Sequence, residues 1–158
     1  MKIETPHKYR LVIKTKNAYE VVLDGEERNG FRSPDTKVCP KLYVITQGSK
    51  IHYVGITNRP MSARINYGLK AKGTNGYHGY KWKTAKGNLE LFVWSFPKSS
   101  GKKFIREIET VEAEFAYLVR NKTGNWPISQ NEIHFYTSTE QHRKASVKML
   151  SYCRVESA

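Results

Sequence analysis

The stretch KLYVITQGSKIHYVGIT, Lys41 to Thr57, sets two short apolar runs, each carrying a tyrosine, around a Gly-Ser turn. Runs rich in β-branched and aromatic residues about such a turn make a β-hairpin, which commits the chain to a sheet. What the sheet can then do depends on register. A three- or five-residue loop sets Tyr43 opposite Tyr53, whereas a four-residue loop sends them to opposite faces, because a one-residue slip turns every side chain over. The sequence leaves that choice open.

The flanking sequence supplies partners for the hairpin. Residues 8–24, KYRLVIKTKNAYEVVLD, read as two strands about an Asn-Ala turn, followed by the polar connector GEERNGFRSPDTKVCP. After the hairpin a helix is expected from Pro60, with Met61, Ile65 and Leu69 as its apolar stripe, Arg64 beside that stripe and Gly73 as its stop. GTNGYHGYKWKTAKGN is too rich in glycine to be one regular element. LELFVWSF is apolar on both faces and reads as a central or covered strand. KKFIREIETVEAEFAYLVRNKTG is a long helix with Phe104, Ile108, Val111, Phe115 and Leu118 on one face, ended by Gly124. NWPISQNEIHF is irregular and leads into a short strand. A last helix opens with the capping-box pattern Thr137 to Glu140 and carries Val147 and Leu150. This order gives an α/β fold: a small, largely antiparallel central sheet flanked by helices.

Charge narrows the partner. The 158 residues fit one domain, spanning 1–158, and carry a formal net charge of +13, with a pI near 9.8. Such a field favours a polyanion, nucleic acid before an anionic membrane surface. No apolar run approaches a membrane span, and MKIETPHKYR lacks the apolar core of a signal peptide. Cys39 and Cys153 lie in no metal-ligand spacing and read as free thiols in a reducing compartment, so a cytoplasmic protein is expected. The acids are informative too. The only aspartates, Asp24 and Asp35, both precede the hairpin, and every later acid is a glutamate. A two-metal nuclease needs several convergent carboxylates; a metal site here would be a single cation with very few protein ligands.

Tyr43 in KLYVI, the YVG of residues 53–55, Arg64 on the next helix and a glutamate on the later helix resemble the GIY-YIG nuclease family. The resemblance covers a core of roughly residues 41–131, leaving 1–40 as an N-terminal β extension and the final helix as an addition. GIY has become KLY, which is harmless if the tyrosine ring carries the chemistry. The residue four after the arginine, often His or Tyr in the family, is Gly68, so its role would fall to Tyr67, Tyr77 or His78. The resemblance implies a divalent-metal-dependent endonuclease acting on DNA by a one-metal mechanism with Mg²⁺ or Mn²⁺, and no small-molecule cofactor. Tyr43, Tyr53, Arg64 and Glu114 would be catalytic. Glu114 would hold the metal, with Glu112 as its alternative, because VEAEFAYLV offers both. Asn131 would support them. Glu107 and Glu109 read as solvated face.

The physical demands agree with that set. Phosphodiester hydrolysis needs an oriented water, charge neutralisation at phosphorus and help for the leaving oxygen. A tyrosine of pKa about 10 serves as base only if nearby cations lower that value, and Arg64 and a metal are the candidates. In the segment after the first helix, Tyr77, His78, Tyr80, Lys81, Trp82 and Lys83 interleave rings with cations. Lys70, Lys72, Lys81 and Lys83 are assigned to phosphates, and Trp82 is a candidate to stack on bases. His7, His52, His134 and His142 show no ligand spacing. Neither NEIH nor PDTK finds the partner residues that an HNH or a PD-(D/E)xK nuclease requires. The alternative function is a nucleic-acid-binding module of the same fold without the chemistry.

Overall fold

A computed structural model describes residues 1–14 and 18–155. Asn17 of the expected Asn-Ala turn lies outside the described residues. The elements are β1 (His7–Ile13), β2 (Tyr19–Leu23), β3 (Lys41–Gln47), β4 (Lys50–Thr57), α1 (Met61–Lys70), β5 (Asn88–Ser95), α2 (Gly101–Thr123) and α3 (Glu140–Leu150), with short 3₁₀ turns at Thr74–Gly76 and Lys81–Thr84. All strand pairs are antiparallel, in the order β2-β1-β5-β3-β4. The N-terminal hairpin therefore continues the sheet: β1 pairs with one side of β5 while β3 takes the other. That position explains why β5 is apolar on both faces.

The two faces carry separate cores. On one, Leu42, Val44, Val54, Phe92 and Trp94 meet Ile108, Val111, Phe115 and Val119 of α2, with Ala145, Met149 and Leu150 of α3 in the same cluster. On the other, Tyr9, Leu11, Tyr43, Ile45, Leu91 and Val93 meet Met61, Ile65 and Leu69 of α1, roofed by Tyr80 and Trp82. The apolar stripes read for α1 and α2 are those that these two helices pack inward. The ends of elements differ in three places. α1 stops at Lys70 with Ala71 as its C-cap, before Gly73. α3 is capped by Thr139 rather than Thr137: the Thr139 N–H donates to His142 Nδ1 (2.9 Å), and His142 Nε2 then donates to Glu107 on α2 (2.9 Å). Val147 consequently points outward, 55 % exposed, while Met149 is fully buried. The short strand expected after residue 131 does not form; residues 130–139 carry no regular structure.

The free edge of β4 is covered instead by the segment after α2. Ile128 and Ser129 donate their N–H groups to the carbonyls of Ile51 (3.0 Å) and His52 (2.7 Å). The Gln130 side-chain amide then accepts from Val54 N (3.0 Å) and donates to Val54 O (3.1 Å), standing in for a peptide unit. An open edge invites pairing with other chains, and here a loop and one glutamine occupy part of it.

Two buried polar residues fix where α1 begins. Asp35 accepts from the hydroxyls of Tyr9 (2.6 Å) and Ser95 (2.6 Å), and lies 2.7 Å from His7 Nδ1. Its carbonyl accepts the first N–H of α1, from Met61 (2.9 Å). Lys41, fully buried, donates to the carbonyls of Lys37 (2.6 Å), Cys39 (2.9 Å) and Arg59 (3.1 Å). An ammonium has three protons, and each finds a carbonyl. Lys41 thus clamps the loop before β3 to the loop before α1. Lys41→Met keeps the stem but leaves three carbonyls without their donor, so we expect unfolding free energy in denaturant titration to fall by about 2–4 kcal/mol. A loss below about 0.5 kcal/mol would show that the clamp contributes nothing.

Candidate functional site

The site is created by an irregularity in the hairpin. Its loop has only two residues, Gly48 and Ser49, and Gly48 takes the positive φ (59°) that such a turn asks of its first position. From that turn Gln47 pairs with Lys50 and Thr46 with Ile51. Continued without interruption, the ladder would set Val44 against Tyr53 and put the two tyrosines on opposite faces. The register shifts between Thr46 and Ile45, leaving His52 as an extra residue, so that Ile45 pairs with Tyr53 and Tyr43 with Gly55. Tyr53 is thereby turned onto the Tyr43 face. The two are diagonal neighbours, ring centroids 5.8 Å apart. Gly55 makes that possible, since a Cβ there would lie 2.5 Å from the Tyr53 ring and 2.8 Å from the Tyr43 hydroxyl.

Arg64 reaches this pair from α1. Its Nε donates to the Tyr43 hydroxyl (3.1 Å) and its Nη1 to the Tyr77 hydroxyl (3.2 Å), while its guanidinium lies over the Tyr80 ring, 5.1 Å from the centroid. Tyr80 is a further member that the sequence pattern did not single out as part of this set. Its hydroxyl lies 3.1 Å from that of Tyr43 and donates to the Arg64 carbonyl (3.3 Å). It occupies the space left by Gly68: a Cβ at Gly68 would come within 2.0 Å of the Tyr80 ring. Gly79 completes the approach, with φ +77° and room for no side chain beside the Gly68 carbonyl. The signal was the glycine itself, since a small residue on a helix face next to an aromatic-rich loop admits a ring.

Of the two candidate glutamates, Glu112 is the one in this field. Its charge acts on Tyr53, and the charge of Arg64 acts on it. Glu114 is two residues on, about 200° around the helix, and faces elsewhere. Glu112, the alternative metal ligand of the sequence reading, is thus the glutamate that lies beside Tyr53 and Arg64. Burial, helped by the neighbouring charge of Glu109 and opposed by Arg64, pushes the Glu112 carboxyl up to about 8. Among the described residues no hydrogen bond or ion pair satisfies it. Once it gives up its proton it is a hard oxygen donor short of a counter-charge, which a divalent cation would supply. No group of three or more His, Cys, Asp or Glu side chains gathers among the described residues, so a cation here would keep most of its waters.

The tyrosines do not behave as expected. Burial raises the Tyr43 phenol well above its ordinary value, with Tyr80 adding and Arg64 only partly opposing. Tyr53 is raised likewise, by burial first and then by Tyr43. A fully buried phenol loses more from desolvation of its anion than one arginine restores.

The remaining expectations divide. Lys70, Lys72 and Lys81 are exposed on the α1 side of the sheet. Lys83 is half-buried and donates to the carbonyls of Ala71 (3.1 Å) and His78 (3.0 Å), which ties its ammonium to the loop. Trp82 is a core residue, 1 % exposed and stacked on Tyr80 at 4.3 Å, which removes it as a base-stacking surface. His78 is exposed, and its imidazole lies against Gly73. Asn131 is exposed, while its neighbour Gln130 makes the contacts to β4. Cys39 and Cys153 are free and buried. No helix of the described residues is long and apolar enough to cross a membrane.

Comparison with protein-family models, with curated proteins and with solved structures finds no match for this chain.

The raised carboxyl has a measurable consequence. Between its ordinary value of 4.5 and about 8 the folded protein holds a proton that the unfolded chain has lost. Stability therefore falls as pH rises through that window. Glu112→Gln should match wild type near pH 4 and exceed its melting temperature by about 4 °C or more at pH 8.5. At that pH Mg²⁺ or Mn²⁺ should raise the melting point of wild type and leave the variant unmoved. Parallel pH profiles for the two proteins would mean that the carboxyl titrates normally.

Proposed function

We propose that the chain is a metal-dependent endonuclease of GIY-YIG type that hydrolyses phosphodiester bonds of DNA. One observation carries the reading: a half-buried arginine held only by phenols stands beside an unpaired glutamate on a strongly basic chain. Arg64 uses two of its five N–H donors on Tyr43 and Tyr77. Among the described residues it meets no carboxylate. The other donors, in the planar fork that suits phosphate oxygens, are left for a substrate.

Glu112 would hold the Mg²⁺ or Mn²⁺ ion, which when bound would neutralise charge at phosphorus and help the leaving oxygen depart. Arg64 would pair with a non-bridging phosphate oxygen and carry part of the charge that grows there. Tyr43 and Tyr80 hold that guanidinium in place. Tyr53, half-buried beside them and in the field of Glu112, would hydrogen-bond the attacking water as a neutral phenol. Its raised pKa argues against a standing tyrosinate, so orientation replaces ionisation in this scheme. Lys70, Lys72 and Lys81 supply counter-charge along the strand.

The raised phenols also favour a second reading, a nucleic-acid-binding module that keeps the fold without the chemistry. Nicking of a supercoiled plasmid separates the two. With Mg²⁺ or Mn²⁺ the wild type should nick, and EDTA should stop it. Glu112→Gln and Arg64→Lys should each lose about a hundredfold or more in rate while still binding DNA. Tyr53→Phe should fold normally and lose about tenfold to a hundredfold. A wild type that binds and never nicks would establish the second reading, and full activity in Glu112→Gln would remove this site from the chemistry.

A further inference from the structure

The Tyr77 hydroxyl that accepts from Arg64 belongs to a ring stacked on Tyr67, with centroids 5.1 Å apart and planes within 13°. The guanidinium of Arg59 in turn lies over Tyr67, 5.0 Å from its centroid. Tyr67 is 49 % exposed and Arg59 is exposed. Neither tyrosine belongs to either core cluster. The fold therefore has no packing need for two parallel rings here, unlike Tyr80 and Trp82, which stack inside.

The ladder is held in advance. Tyr67 is three residues after Arg64 on α1, hence on a neighbouring strip of the same face. The loop bringing Tyr77 is closed by backbone bonds from Gly73 N to Tyr77 O (2.9 Å) and from Tyr77 N to Thr74 O (3.2 Å). Lys70 at the end of the helix and Lys72 just beyond it are both exposed. A planar cation resting on an exposed ring, next to donors suited to phosphate, marks a place where another flat group can rest. A base can take the guanidinium's position over Tyr67, leaving Arg59 to turn to a phosphate. A base within a duplex is covered on both faces by its neighbours, so only an unpaired one can stack in this way.

We infer that Tyr77, Tyr67 and Arg59 form a stacking site for an unpaired nucleobase beside the phosphate held at Arg64. The preferred substrate is then DNA that is single-stranded or opened at that point. The inference rests on the nucleic-acid reading of the Arg64 site but not on its catalysis.

The test uses the whole chain in EDTA, so that nothing is cut. A single-stranded oligodeoxynucleotide carrying 2-aminopurine is titrated alongside the matched blunt duplex. Wild type should quench the probe in the single strand. Tyr67→Leu should abolish the quench and weaken single-strand affinity about tenfold or more. Its duplex affinity should stay within about twofold and its melting point should not move, since no core contact is lost. Tyr67→Trp, which keeps a stacking surface, should restore both quench and affinity. Unchanged single-strand binding by Tyr67→Leu, or equal losses on single strand and duplex, would overturn the inference. The plasmid assay reads the catalytic proposal separately. A protein that nicks while Tyr67→Leu keeps full single-strand affinity would sink the stacking site alone. One that never nicks yet shows the Tyr67-dependent quench would sink the catalysis alone.

Discussion

One extra residue in one strand decides whether this molecule has a site. A two-residue turn makes the β3–β4 ladder place Tyr53 with Val44, on the face covered by α2. The bulge at His52 reverses the parity, and every residue of β4 beyond it changes sides. Val54 then enters the α2 core in place of Tyr53, and Tyr53 joins Tyr43 under α1. The bulge lies in an edge strand, where strain is most easily accommodated, and the carbonyls of Ile51 and His52 are taken by the segment after α2. Hairpin, edge cover and site are thus one arrangement. A bulge of this kind leaves no distinct mark in KLYVITQGSKIHYVGIT, so the pairing of the tyrosines could be posed from sequence and not resolved.

What was legible follows from how far each signal reaches along the chain. The stripe Met61, Ile65, Leu69, the long apolar face of α2 and its stop at Gly124 are local patterns, and the structure realises them. The apolar character of both faces of β5 correctly marked a central strand, though not that β1 would be its second neighbour. The misses involve distant partners. Trp82 and Lys83 sit in a run that alternates rings and cations, yet the loop folds over Gly68, burying the first and tying the second to backbone carbonyls. Asn131 and Gln130 are equally polar, and only the position of the β4 edge selects the glutamine. Glu112 and Glu114 differ by two places on one helix. The side that meets Tyr53 depends on how α2 is rotated against the sheet, which local apolar spacing defines only to within a residue or two.

Absent side chains shape the site as much as present ones. Gly55 lets two tyrosine rings meet, Gly68 admits Tyr80 against α1, and Gly79 brings the loop backbone down beside the same turn. At each of these places a methyl group would collide with a ring or a carbonyl at 2.0–2.9 Å. With no side chain at Gly68, a tyrosine hydroxyl reaches the neighbourhood of Arg64 from the loop instead of from the helix.

The electrostatics give the arrangement its character. A half-buried arginine usually takes a carboxylate partner, which satisfies its donors and cancels its charge. Arg64 is instead held by phenols, which satisfy donors and orient the fork without neutralising it. Glu112 stands near enough to feel that charge, and still its carboxyl is held at about 8 because burial and Glu109 outweigh it. The cation is left without a counter-charge and the carboxyl without a partner in the same low-dielectric corner, where the carboxyl avoids the cost of a bare anion by keeping its proton. The phenols keep Arg64 engaged elsewhere, so no ion pair closes between the two. In the proposed reading a phosphate meets the guanidinium and a divalent cation meets the carboxylate. The neutral tyrosines are then what keep both the guanidinium and the carboxyl available.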